Sequence, residues 1–451
     1  MAIVAHRAGA AISADGRRPG LAAAGAHGRA RNMRPGRMGS RTGWTWGAVL
    51  LALLAFAPLV LGGRFQLGLM SQMCAMAVFA LSYNLLLGQT GMLSFGHAVY
   101  AGLGGFAVIH LLRGMEAGGL VLPVALLPLA GGLAGAAFAA LIGYPTTRRG
   151  GTPFAMISLA IGELVYAAAG MLPEWFGGEG GLTADRTAGP AFVPGLWPGW
   201  SLGPDTHIYY LTACWTAACA LAMRALGRTP LLMLANAVRD NPQRAAFVGQ
   251  DPHVVRYLML MASAFFAGIA GGLAALNLEI ASADSLGAVR SGTVLLAVVV
   301  GGSGFFLGPV AGAVVVVFFS VALSRYTGAW QLYLGLAFAA TVLFLPGGLA
   351  GAAHGLARRI RRHGPVAVAR EFGWTAVGTL SLALGLCLAI ELAYAVVHAQ
   401  GSMATTASPA KALDPSGAGP WVAAGVLLVA GAACSWRGRA RLPAMPEGRD
   451  A

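Results

Sequence analysis

Glu163 has the strongest claim to chemistry of any carboxylate in this chain. It stands in FAMISLAIGELVYAA, near the middle of an uncharged apolar run. An ionisable group at that depth in lipid is costly, so two readings stand: contact with a transported solute, or a hydrogen bond tying two helices together. Ser158 and Tyr166, at i−5 and i+3, are read as lying near its face. His97 poses the same choice. It closes a run holding Gly88, Gln89, Gly91, Ser94 and Gly96, which makes a poor lipid-facing helix. Its ring either serves a solute path or bonds a backbone carbonyl, and Asn84 is a similar case. Asp, Glu and His do not recur along neighbouring spans, as a coupled-proton pathway would need.

Other chemistries are excluded by what is missing. The chain has a single lysine, Lys411, in SPAKALD, so there is no GxxxxGK[ST] loop to cradle a nucleotide. Neither H-E-x-x-H nor G-x-S-x-G occurs, and no pair of intramembrane carboxylates suggests acid/base work. Cys74, Cys214, Cys219, Cys387 and Cys434 are scattered through apolar runs without CxxC spacing and read as small core residues. No cofactor and no metal are expected in this chain. If solute moves uphill on ATP, another chain binds the ATP and its Mg.

A third group of residues is mechanical. In TPLLMLANAVRDNPQRAAFVGQDPHVVRY, residues 229–257, a capping residue stands before proline three times: Thr229-Pro230, Asn241-Pro242 and Asp251-Pro252. Each pair is a helix-start signal. The first opens a surface helix with Leu231, Leu234, Ala235 and Val238 on one face. The second opens a short helix, PQRAAFV, stopped by Gly249, and the third begins a membrane span. Ala245 and Ala246 are expected to give the short helix a low docking surface, with Arg239, Asp240 and Arg244 as its polar rim. An ordinary solvated loop would not need three helix starts.

These residues are held by a membrane bundle. The chain is 57% hydrophobic and 10% charged, far from globular usage. Apolar runs long enough to span a bilayer lie at 46–62, 67–87, 92–112, 120–144, 152–172, 208–226, 254–276, 293–323, 329–350, 374–398 and 421–436. The fold class is therefore all-α, a polytopic transmembrane bundle of ten to twelve spans. Gly131/Gly135, Gly268/Gly272 and Gly308/Gly312 have the small-xxx-small spacing that lets helices approach closely in lipid.

The net charge of +14 comes from arginines beside the spans, which argues for positive-inside topology and against nucleic acid. The clusters are the arm before Trp46, Arg148-Arg149, Arg224 to Arg256, Arg358 to Arg362 and Arg437 to Arg441. Residues 173–206 carry Glu174, Glu179, Asp185 and Asp205 against Arg186 alone and read as the long external loop, with Trp175, Trp197 and Trp200 as a docking surface. With a cytoplasmic N-terminus the first seven spans satisfy every cluster. A single crossing at 293–323 would then put Arg358–Arg362 outside. That run is about 31 residues, roughly 46 Å as helix, too long for one ~30 Å crossing. A break at GGSGFFLGP, residues 301–309, is expected, giving two short passes or a re-entrant half-helix plus a span, the competing reading being one long, kinked helix. Freed backbone groups at such a break need cover from protein or a water-filled cavity, which brings Gly301, Gly302 and Gly304 into the candidate translocation route. Residues 1–41 read as a basic, disordered cytoplasmic arm, an early start codon being the competing reading because Met33 and Met38 precede the first span. No cleavable signal peptide is expected.

Six segments in order resemble the permease subunits of branched-chain amino acid ABC importers, the LivM type in particular. They are LSYNLLLGQTGMLSFGHAVYAGLGGF, RRGGTPFAMISLAIGE (with Pro153 where an aromatic is usual), GGEGGL, RTPLLMLANAVRDNPQRAAFVGQD, VVVGGSGFFLGPVAGA and LFLPGGLAG. The resemblance covers roughly 67–351. It implies a permease transmembrane domain at 42–357, with 173–206 external and 227–253 the cytoplasmic coupling loop. The implied coupling residues are Arg239, Asp240, Asn241, Pro242, Arg244, Ala245, Ala246 and Gly249. It further implies ABC ATPase subunits, a second, LivH-like permease and a periplasmic solute-binding protein as partners, in a bacterial inner membrane. Residues 358–451, with two further spans, exceed the family core. Urea and amide permeases share overlapping motifs, and Glu163 favours the amino-acid branch. Two other classes compete: a self-sufficient secondary transporter or channel, and an integral-membrane enzyme, against which the missing catalytic constellation speaks.

Overall fold

The computed structural model of the protein describes residues 56–58, 62–119, 121–190, 201–345, 347–398 and 418–440. The basic arm at 1–41, most of the 46–62 span, Trp197, Trp200 and Lys411 lie outside the described residues.

Nearly all of the described chain is helical. The core elements are α1 (Arg64–Asn84), α2 (His97–Glu116), α3 (Leu127–Thr146), α4 (Thr152–Met171), α5 (Asp205–Leu226), α6 (Pro230–Asp240), α7 (Pro242–Phe247), α8 (Pro252–Leu278), α9 (Ala288–Gly301), α10 (Gly308–Val317), α11 (Trp330–Phe344) and α12 (Gly348–His363), followed by α13 (Pro365–His398) and α14 (Ala418–Ala440). Proline opens α3, α4, α6, α7, α8 and α10, where its missing N–H costs no hydrogen bond and its fixed φ suits the first turn. Pro153, the departure from the resembled pattern, serves as such a start. Among the described residues seven helices are long and apolar enough to cross a membrane, nine when each bent pair counts as one span, and Ala288–Gly301 and Gly419–Cys434 are shorter apolar helices. The all-helical polytopic bundle is as expected; the described residues reach the expected ten to twelve only when those two shorter helices are counted with the nine.

The long run at 293–323 breaks where its glycines lie. Gly302 takes φ +100, and α10 folds back along α9 so closely that a Cβ on Gly301 would collide with the Gly308 carbonyl. The break therefore forms as expected, with α9, a 14-residue helix, running one way and α10 back along it. α10 continues through a π turn, Phe318–Ala322, and a 3-10 turn, Leu323–Arg325. The break meets the start of α12: a Cβ on Gly348 would stand 2.5 Å from Gly302 Cα, and the Phe305 and His354 rings are 5.6 Å apart. α12, which starts beside the break, carries exposed Arg358, Arg361 and Arg362, and this end of the bundle is its arginine-rich face.

The core is a seam of α2, α3 and α8 held at backbone distance. Gly131 faces the Gly268 carbonyl oxygen, 2.8 Å from where a Cβ would stand, and the Gly104 oxygen at 2.9 Å, while Gly135 faces the Ala264 oxygen at 2.6 Å. All six glycines picked out by spacing lie in such seams, Gly272 against Pro128 and Gly312 against Ala297. The C-terminal pair α13 and α14 packs as a hairpin, with Ser381 donating to the Leu427 carbonyl at 2.9 Å. It meets the core where the Tyr333 hydroxyl donates to Glu391 at 2.9 Å.

Candidate functional site

The three helix starts form as read, and two use their caps: Asn241 Oδ1 accepts from the Arg244 N–H at 3.0 Å, and Asp251 Oδ1 from the His253 N–H at 2.8 Å. Thr229 makes no such cap; its hydroxyl donates back to the Leu226 carbonyl. α6 turns 69° from α5, as a helix leaving a span for the surface must. Its buried face is Leu232, Ala235 and Val238, with Leu231 and Leu234 only half-buried, because the core lies further round the helix than the expected stripe. On α7, Ala245 is buried and only Ala246 is exposed, so the expected alanine surface is halved. The outward side instead presents Phe247, 91% exposed, and Val248, 80% exposed, just before Gly249 turns the chain at φ +84. Sequence reading missed Phe247. The signal was an aromatic, two residues before the stopping glycine, in a segment otherwise charged or small.

This segment docks on the glycine-rich run after α1. Asn236 Nδ2 donates to Gln89 Oε1 at 3.1 Å, and the Arg239 guanidinium donates to the Gly88 carbonyl while pairing with Asp240 at 3.3 Å. The run itself is a π turn, Leu85–Gln89, followed by Gly91 at φ +68, whose α-carbon face is covered by the Arg239 stem. A side chain on Gly88 would meet Asn84 Oδ1 at 2.5 Å and the Ser303 carbonyl oxygen at 3.1 Å. Three segments distant in sequence thus touch: α6, the turn after α1, and the break between α9 and α10. Arg239→Ala is expected to loosen the helix from the turn, because a charge-assisted bond of about 2 kcal/mol between them is lost. Faster amide exchange or limited proteolysis within 227–253, with the spans intact, would show it, and wild-type rates would speak against it.

At the opposite, acidic face the 173–206 segment is anchored by Arg186. Its guanidinium donates to the Leu202 carbonyl at 2.8 Å and the Gly203 carbonyl at 2.9 Å, and pairs with Asp205 at 3.2 Å and Glu279 at 3.5 Å. Below it β1 (Leu182–Thr183) pairs antiparallel with β2 (Ile280–Ala281). Glu279, at φ 56, is the only non-glycine residue with positive φ among the described residues. Two bonds from Thr187, its N–H and its hydroxyl, hold the exposed Asp185 carboxyl below its ordinary range. Arg186→Met would strand two half-exposed carboxylates at about 1–3 kcal/mol, discounted for solvent screening. The expected result is roughly tenfold faster limited proteolysis within 173–206 with α1 to α12 intact.

Between α4, α9 and α11 lies a groove of about 950 Å³, in the size range of ligand clefts. Glu163 and Tyr166 line it from α4, Asp284 and Arg290 from the turn before α9 and its start, Leu295 and Leu296 from α9, and Trp330 and Gln331 from α11. Glu163, Asp284 and Arg290 are exposed to it. Asp284 and Arg290 also line a smaller cavity of about 190 Å³ toward α2 and α8. Among the described residues neither Glu163 nor Arg290 forms an ion pair. Tyr166 shares the groove with Glu163, but Ser158 does not. Five residues at about 100° each carry it some 140° round the helix. There it is buried, accepting from the Phe95 N–H at 3.0 Å and donating to the Ala155 carbonyl at 2.8 Å.

The remaining sequence candidates lie elsewhere. His97 is fully buried at the start of α2, its Nε2 3.2 Å from Ser82 Oγ and its ring stacked on Phe79 and edge-on to Tyr83 and Tyr100. Ser94 is buried with its carbonyl accepting from the Tyr83 hydroxyl at 3.0 Å, and Asn84 is buried beside Gly88. Gly301 and Gly302 are buried in the break, whereas Gly304 is exposed at its tip. The charged groove and the docked helices on the arginine face describe a solute-handling membrane protein, and the comparisons agree. Residues 65–351, more than half the chain, match the model of the branched-chain amino acid transport system / permease component family. The chain belongs to that family.

The permease is similar to the high-affinity branched-chain amino acid transport system permease protein LivM of Escherichia coli, 25% identical over 324 residues covering 67% of this chain and 73% of that one. The corresponding LivM of Salmonella typhimurium is 26% identical over 320 residues, with the same shares covered. No solved structure matches. The permease is thus a multi-pass membrane protein and a transport component. The family match ends at residue 351, so most of α12 and all of α13 and α14 lie beyond it.

Proposed function

We propose that the permease is the translocation subunit of an ATP-driven importer for branched-chain or related amino acids. In this reading the arginine-rich face and the N-terminus are cytoplasmic, the membrane is the bacterial inner membrane, and α7 with its flanks is the coupling helix. The docked α6–α7 segment carries the reading. Its short helix is capped at its start by Asn241, the following helix is capped by Asp251, and between them Phe247 and Val248 are exposed outward. Inward, Asn236 and Arg239 grip the turn after α1. A self-contained transporter has no use for such a handle, whereas a subunit driven by a neighbour needs one. Arg239, Asp240, Asn241, Pro242, Arg244, Ala245, Ala246 and Gly249 form it, and the contacts through Gly88 to Ser303 extend it to the break at Gly301, Gly302 and Gly304.

ATP and Mg would stay on partner ATPase subunits, since this chain has no loop to hold them. A second, LivH-like permease would complete the pathway, and a periplasmic solute-binding protein would dock on the acidic face around Trp175. Gentle detergent extraction of the tagged permease tests this. An ATPase and a second permease in near-equal amounts are expected, with solute uptake in vesicles requiring ATP. A chain that emerges alone and transports without ATP would overturn the proposal in favour of a secondary transporter.

A further inference from the structure

We infer that the groove between α4, α9 and α11 recognises the zwitterionic head of an α-amino acid. Glu163 and Asp284 receive the ammonium, Arg290 the carboxylate, and Leu295, Leu296 and Trp330 the apolar side chain. The inference rests on the proposed importer and names the site within it. Charge sign selects the ligand class. An ionised group along an apolar span is costly to keep, and the usual compensation is a partner of opposite sign. Here both signs line one cavity, yet neither Glu163 nor Arg290 is consumed by an ion pair among the described residues. A neutral amide or urea would leave both charges uncompensated. A cation would be repelled by Arg290, and an anion by the two carboxylates. A molecule carrying an ammonium and a carboxylate a few ångströms apart compensates both at once.

Position agrees with sign. The level of the charges is fixed by Gly287, where a Cβ would stand 3.7 Å from the Tyr166 ring, one turn beyond Glu163 toward the acidic face. The leucines and Trp330 lie along α9 and α11, so a ligand held by its head would lay its side chain on the apolar wall. The fork of the Arg290 guanidinium suits a carboxylate bidentately, which an ammonium side chain would not reproduce.

The test uses the assembled importer in proteoliposomes with its solute-binding protein, following labelled leucine uptake and ATP hydrolysis together. Glu163→Gln and Arg290→Gln are expected to lower uptake at least tenfold while binding-protein-stimulated hydrolysis stays within twofold of wild type. Glu163→Asp is expected to recover part of the uptake, and Arg290→Lys less. Wild-type uptake by assembled glutamine variants would overturn the site. Parallel loss of uptake and hydrolysis by variants that still assemble would also overturn it, as the sign of a structural role. Should the glutamine variants fail to assemble, Glu163→Asp and Arg290→Lys decide: assembled and slowed supports the site, assembled at wild-type rate overturns it. Wild-type complex without ATP-driven uptake would instead overturn the importer reading, and the site with it.

Discussion

The Gly271→Val substitution is expected to remove most of the folded permease from the membrane. Position 271 lies where α8 crosses α2. A Cβ there would overlap the Ala101 carbonyl oxygen outright and stand 2.5 Å from the Ala101 carbonyl carbon and 2.9 Å from its Cα. The obstruction is backbone, so no rotamer change relieves it and the helices must separate. Separation would spread, because the neighbouring crossings Gly104–Gly268 and Gly131–Gly268 are at the same close distance. In lipid, packing of this kind is much of what holds helices together, since apolar area gives little drive between them. Overpacking a tight core typically costs about 1–3 kcal/mol, and a seam of this closeness belongs at or above the upper end. The expected readout is a monodisperse detergent peak reduced to about a tenth or less and a lower melting temperature in what survives. Gly170→Val is the control: on α4, position 170 is exposed and a Cβ would meet nothing within 4 Å. Equal yields for both variants would show that the seam does not limit stability.

What could be read from sequence follows the range of the physics involved. The three helix starts at Pro230, Pro242 and Pro252 were legible because capping and the missing proline N–H act within four residues. The break at 301–309 was legible from length against bilayer thickness. The groove was legible only in Glu163. Asp284, Arg290 and Trp330 come from two other elements, and a charge at the head of an apolar run looks like a flank until α9 is packed against α4. Ser158 was misplaced by a phase of the helix, and Ala245 by not knowing which side of α7 the core occupies. Spacing found six seam glycines but passed over Gly271, since in a chain with 66 glycines it offers no local mark. The link from Tyr333 to Glu391 is likewise a matter of tertiary contact, which joins the helices beyond the family match to the back of the helix that carries Trp330.

The Phe247→Ala substitution is expected to strip the partner ATPase from the permease while leaving the permease itself intact. Phe247 is 91% exposed, so its removal withdraws nothing from the core, and α7 keeps its Asn241 cap and its buried Ala245. A large aromatic held outward on a short, well-fixed helix contributes to a complex in a way it cannot contribute to the isolated chain. Such anchors, seated in a partner's pocket, cost about 2 kcal/mol or more on truncation. That corresponds to roughly a thirtyfold weaker complex. The polar rim behaves differently: Arg244→Ala removes an exposed charge and is expected to alter salt dependence more than affinity. Co-purification through a tagged permease at fixed salt reads both effects, with permease yield as the internal standard. The ordering matters as much as the size. If Arg244→Ala released the ATPase and Phe247→Ala did not, the contact would be electrostatic and α7 would act as a charged patch. If neither did, the handle on the arginine-rich face would belong to some other partner, and the ATPase would have to be sought on the exposed arginines of α12.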